Sequence, residues 1–361
     1  MAERLVYVEW LRVFLICSVV AHHAAQPYGP TGGAWPVDDP VSSDLLRPFF
    51  IVNAAYFMGF FFLISGYFLA ASYDRKGGAA FVTSRLIRLG VPLVVFGVIV
   101  NGVVGWAIYG AGKEFVAFFV WEYVLGRTVE WGPLWFILHL LIYALLYAAW
   151  RGLGGPDVPR LPPPGHRTVL GYILMLGAVT FLVRQAYPID VWIRIFGVVP
   201  VELAHLPQYL SLFVIGIAAG RGGWFTEIGP SLGLVWFPIG LVVFTCAVLL
   251  NAQAAQLSAW VDLRALWGVL EGFVCVGMIL GLLTLFRRML AAPGPWISAL
   301  QGQVYGVYLI HVYVVVGLHF AFLAVGWQAL TKFGVVTVLS IVLSFTLVAA
   351  LQRIPVVRAV M

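Results

Sequence analysis

Apolar stretches close to the length a helix needs to cross a bilayer recur ten times along this chain, and no other feature constrains its fold as strongly. They lie near residues 8–26, 48–71, 89–110, 132–150, 168–187, 205–220, 232–251, 263–285, 303–325 and 333–351. About 20 apolar residues in helical form span a hydrocarbon core, where every backbone polar group must be satisfied within the protein. Composition agrees: of 361 residues, 62% are hydrophobic and 10% charged, against about a quarter charged in soluble domains. The prediction is an all-α, polytopic integral membrane protein of about ten transmembrane helices. It forms a single membrane-embedded domain over residues 1–361, with no appended soluble domain. The first stretch has no small-residue cleavage site and keeps Arg12 inside its apolar run, so it reads as a retained helix and not a cleaved signal. The sixth stretch is short and also fits a re-entrant segment.

Lysine and arginine set the orientation. Of the 21 such residues, fourteen fall on the side of the N-terminus, Arg4 and Arg12 among them, and the remaining seven on the other. The positive-inside rule then places both termini in the cytoplasm. The net charge of +6 is spread between apolar blocks, which is topological bias and not a nucleic-acid footprint. Cys17, Cys246 and Cys275 sit within apolar segments without metal-ligand spacing and read as inert core thiols. No metal and no tightly bound cofactor is expected. Among the linkers, residues 26–47 form an outer loop rich in Pro and Gly that also carries Asp38, Asp39 and Asp44. Residues 72–88 form a basic inner loop, Leu161–Gly165 a stiff proline-rich connector, and residues 188–204 a cap on the outer face. No block repeats, which counts against a transporter built from duplicated halves.

The polar residues inside the apolar blocks carry what chemistry there is. Arg12 and His23 are eleven residues apart, which returns a helix to nearly the same face about 16 Å further along. His22 points about 100° away, so His23 is the one that shares the face of Arg12. Ionisable groups in a bilayer are costly and usually functional, although a histidine near Gln26 and Pro27 also fits an interfacial packing role. Arg85 and Arg88 are neighbours on one helical face. Two guanidiniums there can clamp phosphates through bidentate hydrogen bonds, or simply anchor the helix among headgroups. Tyr308 and His311, three apart, also share a face. Glu271 is expensive in mid-span unless paired or protonated; it fits substrate orientation and structural pairing with a His or Arg equally well. Outer-loop aromatics such as Tyr28, Trp35, Trp131 and Trp192 suit sugar stacking or an interfacial belt.

Six segments in register resemble the membrane acyltransferase-3 family: Arg12-x10-His23, Phe60–Leu69, Arg85-x-x-Arg88 with the following 89–92, Pro133–Leu138, Tyr209–Gly216 and Val304–His311. The similarity runs from residue 8 to about 325 and is closest to the branch with the glucan-biosynthesis succinyltransferases. The resemblance implies transfer of an acyl group, acetyl or succinyl in class, from cytoplasmic acyl-CoA to a hydroxyl of a glycan, lipid or small-molecule acceptor. It implies His23 as general base together with Arg12, and Arg85 and Arg88 as holders of the CoA phosphates. Tyr308, His311 and Glu271 are candidates for the substrate site, with Tyr308, His311 or backbone donors as stabilisers of the oxyanion. The expected setting is a multi-pass protein of the bacterial cytoplasmic (inner) membrane, with membrane lipids as partners and no nucleic acid. Lacking an extracytoplasmic domain, such a chain finishes the transfer itself or hands the group to a separate protein. One departure stands out. Many members carry a glutamate shortly after the tryptophan equivalent to Trp135, where this chain has Phe136, Ile137, Leu138 and His139. Glu130, Glu202 and Glu271 remain candidates for the acid that supports His23. The rival reading is a transporter or flippase that uses His23 and Glu271 as a proton relay.

Overall fold

The computed structural model describes residues 5–30, 35–110, 112–252, 263–292 and 294–361, and each apolar stretch is a helix. In chain order these are α1 (Val6–Ala25), α2 (Arg47–Lys76) and α3 (Gly78–Arg85). α3 continues through wide π-helical turns at Leu86–Gly90 and Leu93–Val100 into α4 (Asn101–Tyr109). Then follow α5 (Phe115–Ala117), α6 (Trp135–Gly152), α7 (His166–Ala186), strands β1 (Trp192–Ile195) and β2 (Val199–Glu202), α8 (Leu206–Gly222) and α9 (Trp224–Glu227). α10 (Pro230–Ala252), α11 (Leu263–Met289), α12 (Ile297–Phe322), α13 (Ala329–Leu351) and α14 (Pro355–Val360) complete the chain.

Among the described residues, nine helices are long and apolar enough to cross a membrane. α8, with 17 residues, falls just short of that length, but its neighbour α2 gauges its depth. At one end Gln208 Nε2 donates to the Ala55 carbonyl at 2.8 Å, and at the other Arg221 binds Asp74. The stretch of α2 from Ala55 to Asp74 rises about 28 Å at helical pitch, close to the ~30 Å of a hydrocarbon core. α8 therefore runs beside α2 and parallel to it, rising about 20 Å between Gln208 and Arg221, an arrangement that favours a tenth crossing over a re-entrant turn. The two helices meet backbone to backbone. A Cβ on Gly66 would collide with the Phe213 carbonyl, and one on Gly216 or Gly220 with the carbonyls of Leu63 or Tyr67. In lipid, where helices gain nothing from hiding apolar side chains, such close approach is a main source of association.

Counted with α8, the crossings are even in number and would return the chain to the side on which α1 begins. The contacts agree: Gln352, just past α13, donates to the Gly302 carbonyl at 3.0 Å, and Tyr305, one turn along α12, donates to the Arg88 carbonyl at 2.6 Å. This side, which also holds Arg12, is called the basic face below, and the opposite one the distal face. Arg4, counted among its cations, lies outside the described residues.

Two linkers differ from expectation. The basic stretch 72–88 is not a loop: α2 continues to Lys76, Gly77 alone makes the turn at φ 79°, and α3 starts at once. That left-handed backbone suits only glycine without strain. Residues 188–204 fold into an antiparallel hairpin in which Trp192 pairs with Glu202 and Ile195 with Val199. Its turn passes through Phe196 and Gly197, both at positive φ. The hairpin is fastened to the 130–139 segment: Trp131 Nε1 donates to Val198 O at 2.7 Å, His139 Nε2 to Pro200 O at 2.9 Å, and Arg194 pairs with Glu130 at 2.6 Å.

α1 is the central helix, packed against α2, α11, α12 and α13. Leu11, Leu15, Ile16, Val19, Val20 and Ala24 are almost fully enclosed. Gly66→Val or Gly216→Val is expected to part α2 from α8 at a cost of about 1–3 kcal/mol. Gly171→Ala, whose added methyl meets nothing within 4 Å, serves as the control. Thermal unfolding in detergent micelles, followed by size-exclusion chromatography, reads the difference; equal melting of all three variants contradicts the packing described.

Candidate active site

His23 sits in the last turn of α1, near the distal face. Its Nδ1 lies 3.0 Å from the Val19 carbonyl and 3.1 Å from His311 Nε2. A carbonyl only accepts, so Nδ1 carries the hydrogen. His311 Nδ1 lies 2.7 Å from the Tyr308 carbonyl and must donate to it. That leaves His311 Nε2 as an acceptor, facing the His23 N–H. The two carbonyls thus fix both tautomers, and His23 is left with an unprotonated Nε2. A free imidazole nitrogen held in place by its partner nitrogen is what a general base requires.

Trp35 lies against His23. Its ring stacks on His23, with centroids 5.5 Å apart and planes 23° from parallel. The indole N–H donates to His319 Nδ1 at 3.0 Å, and His319 Nε2 donates to the Ala24 carbonyl at 3.1 Å. The loop bearing Trp35 is tied to α13 by a buried ion pair: Lys332 Nζ reaches both oxygens of Asp39 at 3.0 and 2.8 Å, and each side chain is only 1% exposed. His22 points elsewhere, as the helix register requires, against Phe50 and Phe57 of α2 at 5.1 and 5.2 Å between ring centroids. Sequence reasoning did not single out His319. Its one signal was spacing: it lies eight residues after His311 on the same helix, and both are fully buried.

On the basic face the short turn at Gly77 gathers cations. Lys76 lies within electrostatic reach of Arg75, Arg85 and Arg88, and Arg12 within reach of Arg88 and of Glu9. The Arg85 guanidinium sits 4.9 Å over the Phe81 ring, and that of Arg88 5.8 Å over Tyr305. Arg85 Nε is buried with no hydrogen-bond partner. Among the described residues, no carboxylate pairs with Arg85 or Arg88. Arg12, Arg85 and Arg88 are therefore brought together, and the structure gathers Arg75 and Lys76 beside them. A phosphate would find charge there, together with one guanidinium nitrogen still unsatisfied.

The acid candidates lie elsewhere. Glu271 Oε2 is 2.5 Å from Arg184 Nη2, and its other oxygen is 3.1 Å from His205 Nε2. His205 Nδ1 is 2.8 Å from Glu202, whose second oxygen accepts from the Asp190 N–H at 2.9 Å. Burial alone would raise the Glu202 carboxyl, but His205 and the Asp190 N–H hold it below the usual carboxylate range. This closed network joins α7, α8 and α11 to the hairpin. Glu130 is spent on Arg194. None of the three acids touches His23; its partner is His311. Glu271 thus belongs to an ion cluster with Arg184 and His205, and among the described residues no contact joins it to His23. Tyr308 is also committed, since its hydroxyl donates to the Pro133 carbonyl. It ties α12 to α6 and is not free to meet an oxyanion.

Compared with known proteins, residues 5–349 match the acyltransferase domain family. No curated protein and no solved structure matches. For the loop clamp, Lys332→Met leaves the Asp39 carboxylate buried and unpaired, an expected loss of about 3–5 kcal/mol. Adding Asp39→Asn is expected to restore part of it. Chemical unfolding of the two variants measures both; equal stability would place Asp39 in contact with water.

Proposed function

The chain belongs to the acyltransferase-3 family, and on that premise we propose that it moves an acetyl- or succinyl-class acyl group from acyl-CoA to a hydroxyl, with His23 as the general base. The carrying observation is the pairing of opposite ends of α1. An unprotonated, oriented imidazole nitrogen stands at the distal end, and at the other lie Arg85 and Arg88, which have no carboxylate partner among the described residues. The ~16 Å between Arg12 and His23 suits the long thin arm that joins a CoA nucleotide to its thioester. Arg85 and Arg88, with Arg12 behind them, would hold the nucleotide phosphates on the basic face. The excess of Lys and Arg on that face supports its assignment to the cytoplasm, and a bacterial inner membrane is the setting proposed.

The step itself balances simply. His23 Nε2 takes the proton of the acceptor hydroxyl as its oxygen attacks the thioester carbonyl. The tetrahedral intermediate collapses with loss of the C–S bond, and the imidazolium returns the proton to the departing CoA sulfur. His311 keeps the His23 N–H engaged throughout, so the ring does not turn over between the two transfers. Trp35, held by His319, screens the imidazole from water. A proton-relay transporter draws no support from this arrangement, because Glu271 is engaged by Arg184 and His205. The acceptor is a glycan, a lipid or a small molecule with a free hydroxyl.

His23→Ala is expected to lower acyl transfer about 10²–10⁴-fold, the usual contribution of a general base, with the protein still folded. Release of CoA from acetyl- and succinyl-CoA by purified protein in nanodiscs measures this; full activity in His23→Ala would overturn the assignment. Arg85→Lys and Arg88→Lys keep the charge but lose the bidentate fork, and each is expected to raise the KM for acyl-CoA about ten-fold. An unchanged KM in both would return the pair to headgroup anchoring.

A further inference from the structure

Beside His23 lies a second group of polar atoms that the mechanism does not use. His22 Nδ1, Gln26 Oε1 and Asn53 Nδ2 are all buried without a hydrogen-bond partner. His22 and Gln26 are one turn apart at the distal end of α1 and so share a face. Asn53 lies on α2 between Phe50 and Phe57, three residues after one and four before the other, and both of those rings contact His22. Asn53 is only 4% exposed. Three orphaned polar groups on two facing helices are costly to leave unsatisfied, and no contact among the described residues uses them.

Their chemistry narrows what they take. Gln26 Oε1 accepts, Asn53 Nδ2 donates, and His22 Nδ1 does one or the other according to its tautomer. Hydroxyls satisfy such a mixed set because each both gives and takes a hydrogen bond. Phe49, Phe50 and Phe57 ring His22, and a charged ligand would be desolvated there with no counter-charge. The His22 and His23 rings are 5.8 Å apart between centroids, comparable to the width of a sugar ring. A ligand held at His22 would thus present a second hydroxyl to His23.

We propose that His22, Gln26 and Asn53 form the acceptor subsite, and that it takes a neutral, hydroxyl-rich molecule of the sugar class. This rests on the reading of His23 as the general base. The three residues bind and orient the acceptor by hydrogen bonds to hydroxyls that do not react. The aromatic wall contributes the apolar face on which a pyranose ring packs.

The test uses the full chain in nanodiscs, with acetyl-CoA or succinyl-CoA as donor and methyl β-glucoside or methyl β-glucuronide as acceptor probe. Acylated product is measured by mass spectrometry and CoA release by absorbance. The expected result is acylation of the glucoside at least about ten-fold faster than of the glucuronide. Gln26→Ala and Asn53→Ala each raise the KM for the glucoside by about ten-fold, the loss of one buried hydrogen bond, and the KM for acyl-CoA does not follow. If Asn53→Ala fails to fold, Gln26→Ala at the half-buried helix end decides alone. Equal use of the two probes overturns the proposal. So does CoA release that depends on His23 while neither probe is acylated, or an unmoved glucoside KM. CoA release that ignores His23→Ala overturns the underlying assignment of the base instead, and the two failures are told apart by that variant.

Discussion

The hydrogen bond between His23 and His311 is the contact on which the proposed function depends. It joins the central helix α1 to α12 inside an apolar bundle, where an unpaired imidazole would be costly. Its direction follows from two backbone carbonyls, those of Val19 and Tyr308, which fix a hydrogen on Nδ1 of each ring. With both Nδ1 positions settled, the only unprotonated nitrogen not already accepting a hydrogen bond in the pair is Nε2 of His23. A second imidazole here fills the place that a carboxylate holds in many catalytic histidine sites. It orients the ring without adding charge to the bilayer interior, and under the proposed function it leaves His23 to act as a neutral base.

The remaining ionisable groups divide into neutralised and unneutralised sets. On the distal side Glu202, His205, Glu271 and Arg184 pair with one another, and Lys332 pairs with Asp39. On the basic face Asp74, Arg151, Asp157 and Arg221 form another closed cluster at the end of α8. These networks join helices and loops, and their charges are spent. Arg85 and Arg88 are different, because no carboxylate among the described residues answers them. Under the proposed function, they are where the phosphates of the acyl donor would bind.

Much of this arrangement was legible in the sequence, for reasons that can be named. Apolar length fixed the helices, since bilayer thickness permits few alternatives. Eleven-residue spacing placed Arg12 and His23 along one face, and register separated His23 from His22. The acyltransferase-3 resemblance carried by six short segments accords with the family match over residues 5–349. What stayed hidden was pairing across helices. Nothing local in Glu271 says that Arg184, 87 residues earlier, will claim it, and nothing in His311 says that it answers His23 across 288 residues. The 72–88 stretch looked like a loop because its charges broke the apolar pattern, yet a single glycine sufficed for the turn. The hairpin at 192–202 was missed because two four-residue strands leave only a weak alternation. Trp35 was visible as one loop aromatic among several; its role came from His319 and the Asp39–Lys332 pair.

The most direct test of the central claim is the tautomer of His23. Solid-state ¹⁵N NMR of histidine-labelled protein in lipid, with His23→Gln used to assign the signal, distinguishes a protonated Nδ1 from a protonated Nε2. The account predicts hydrogen on Nδ1, held by the Val19 carbonyl, and a bare Nε2 near neutral pH. A His23 that carries its hydrogen on Nε2 would have no free nitrogen for the acceptor hydroxyl, and would contradict its role as the base.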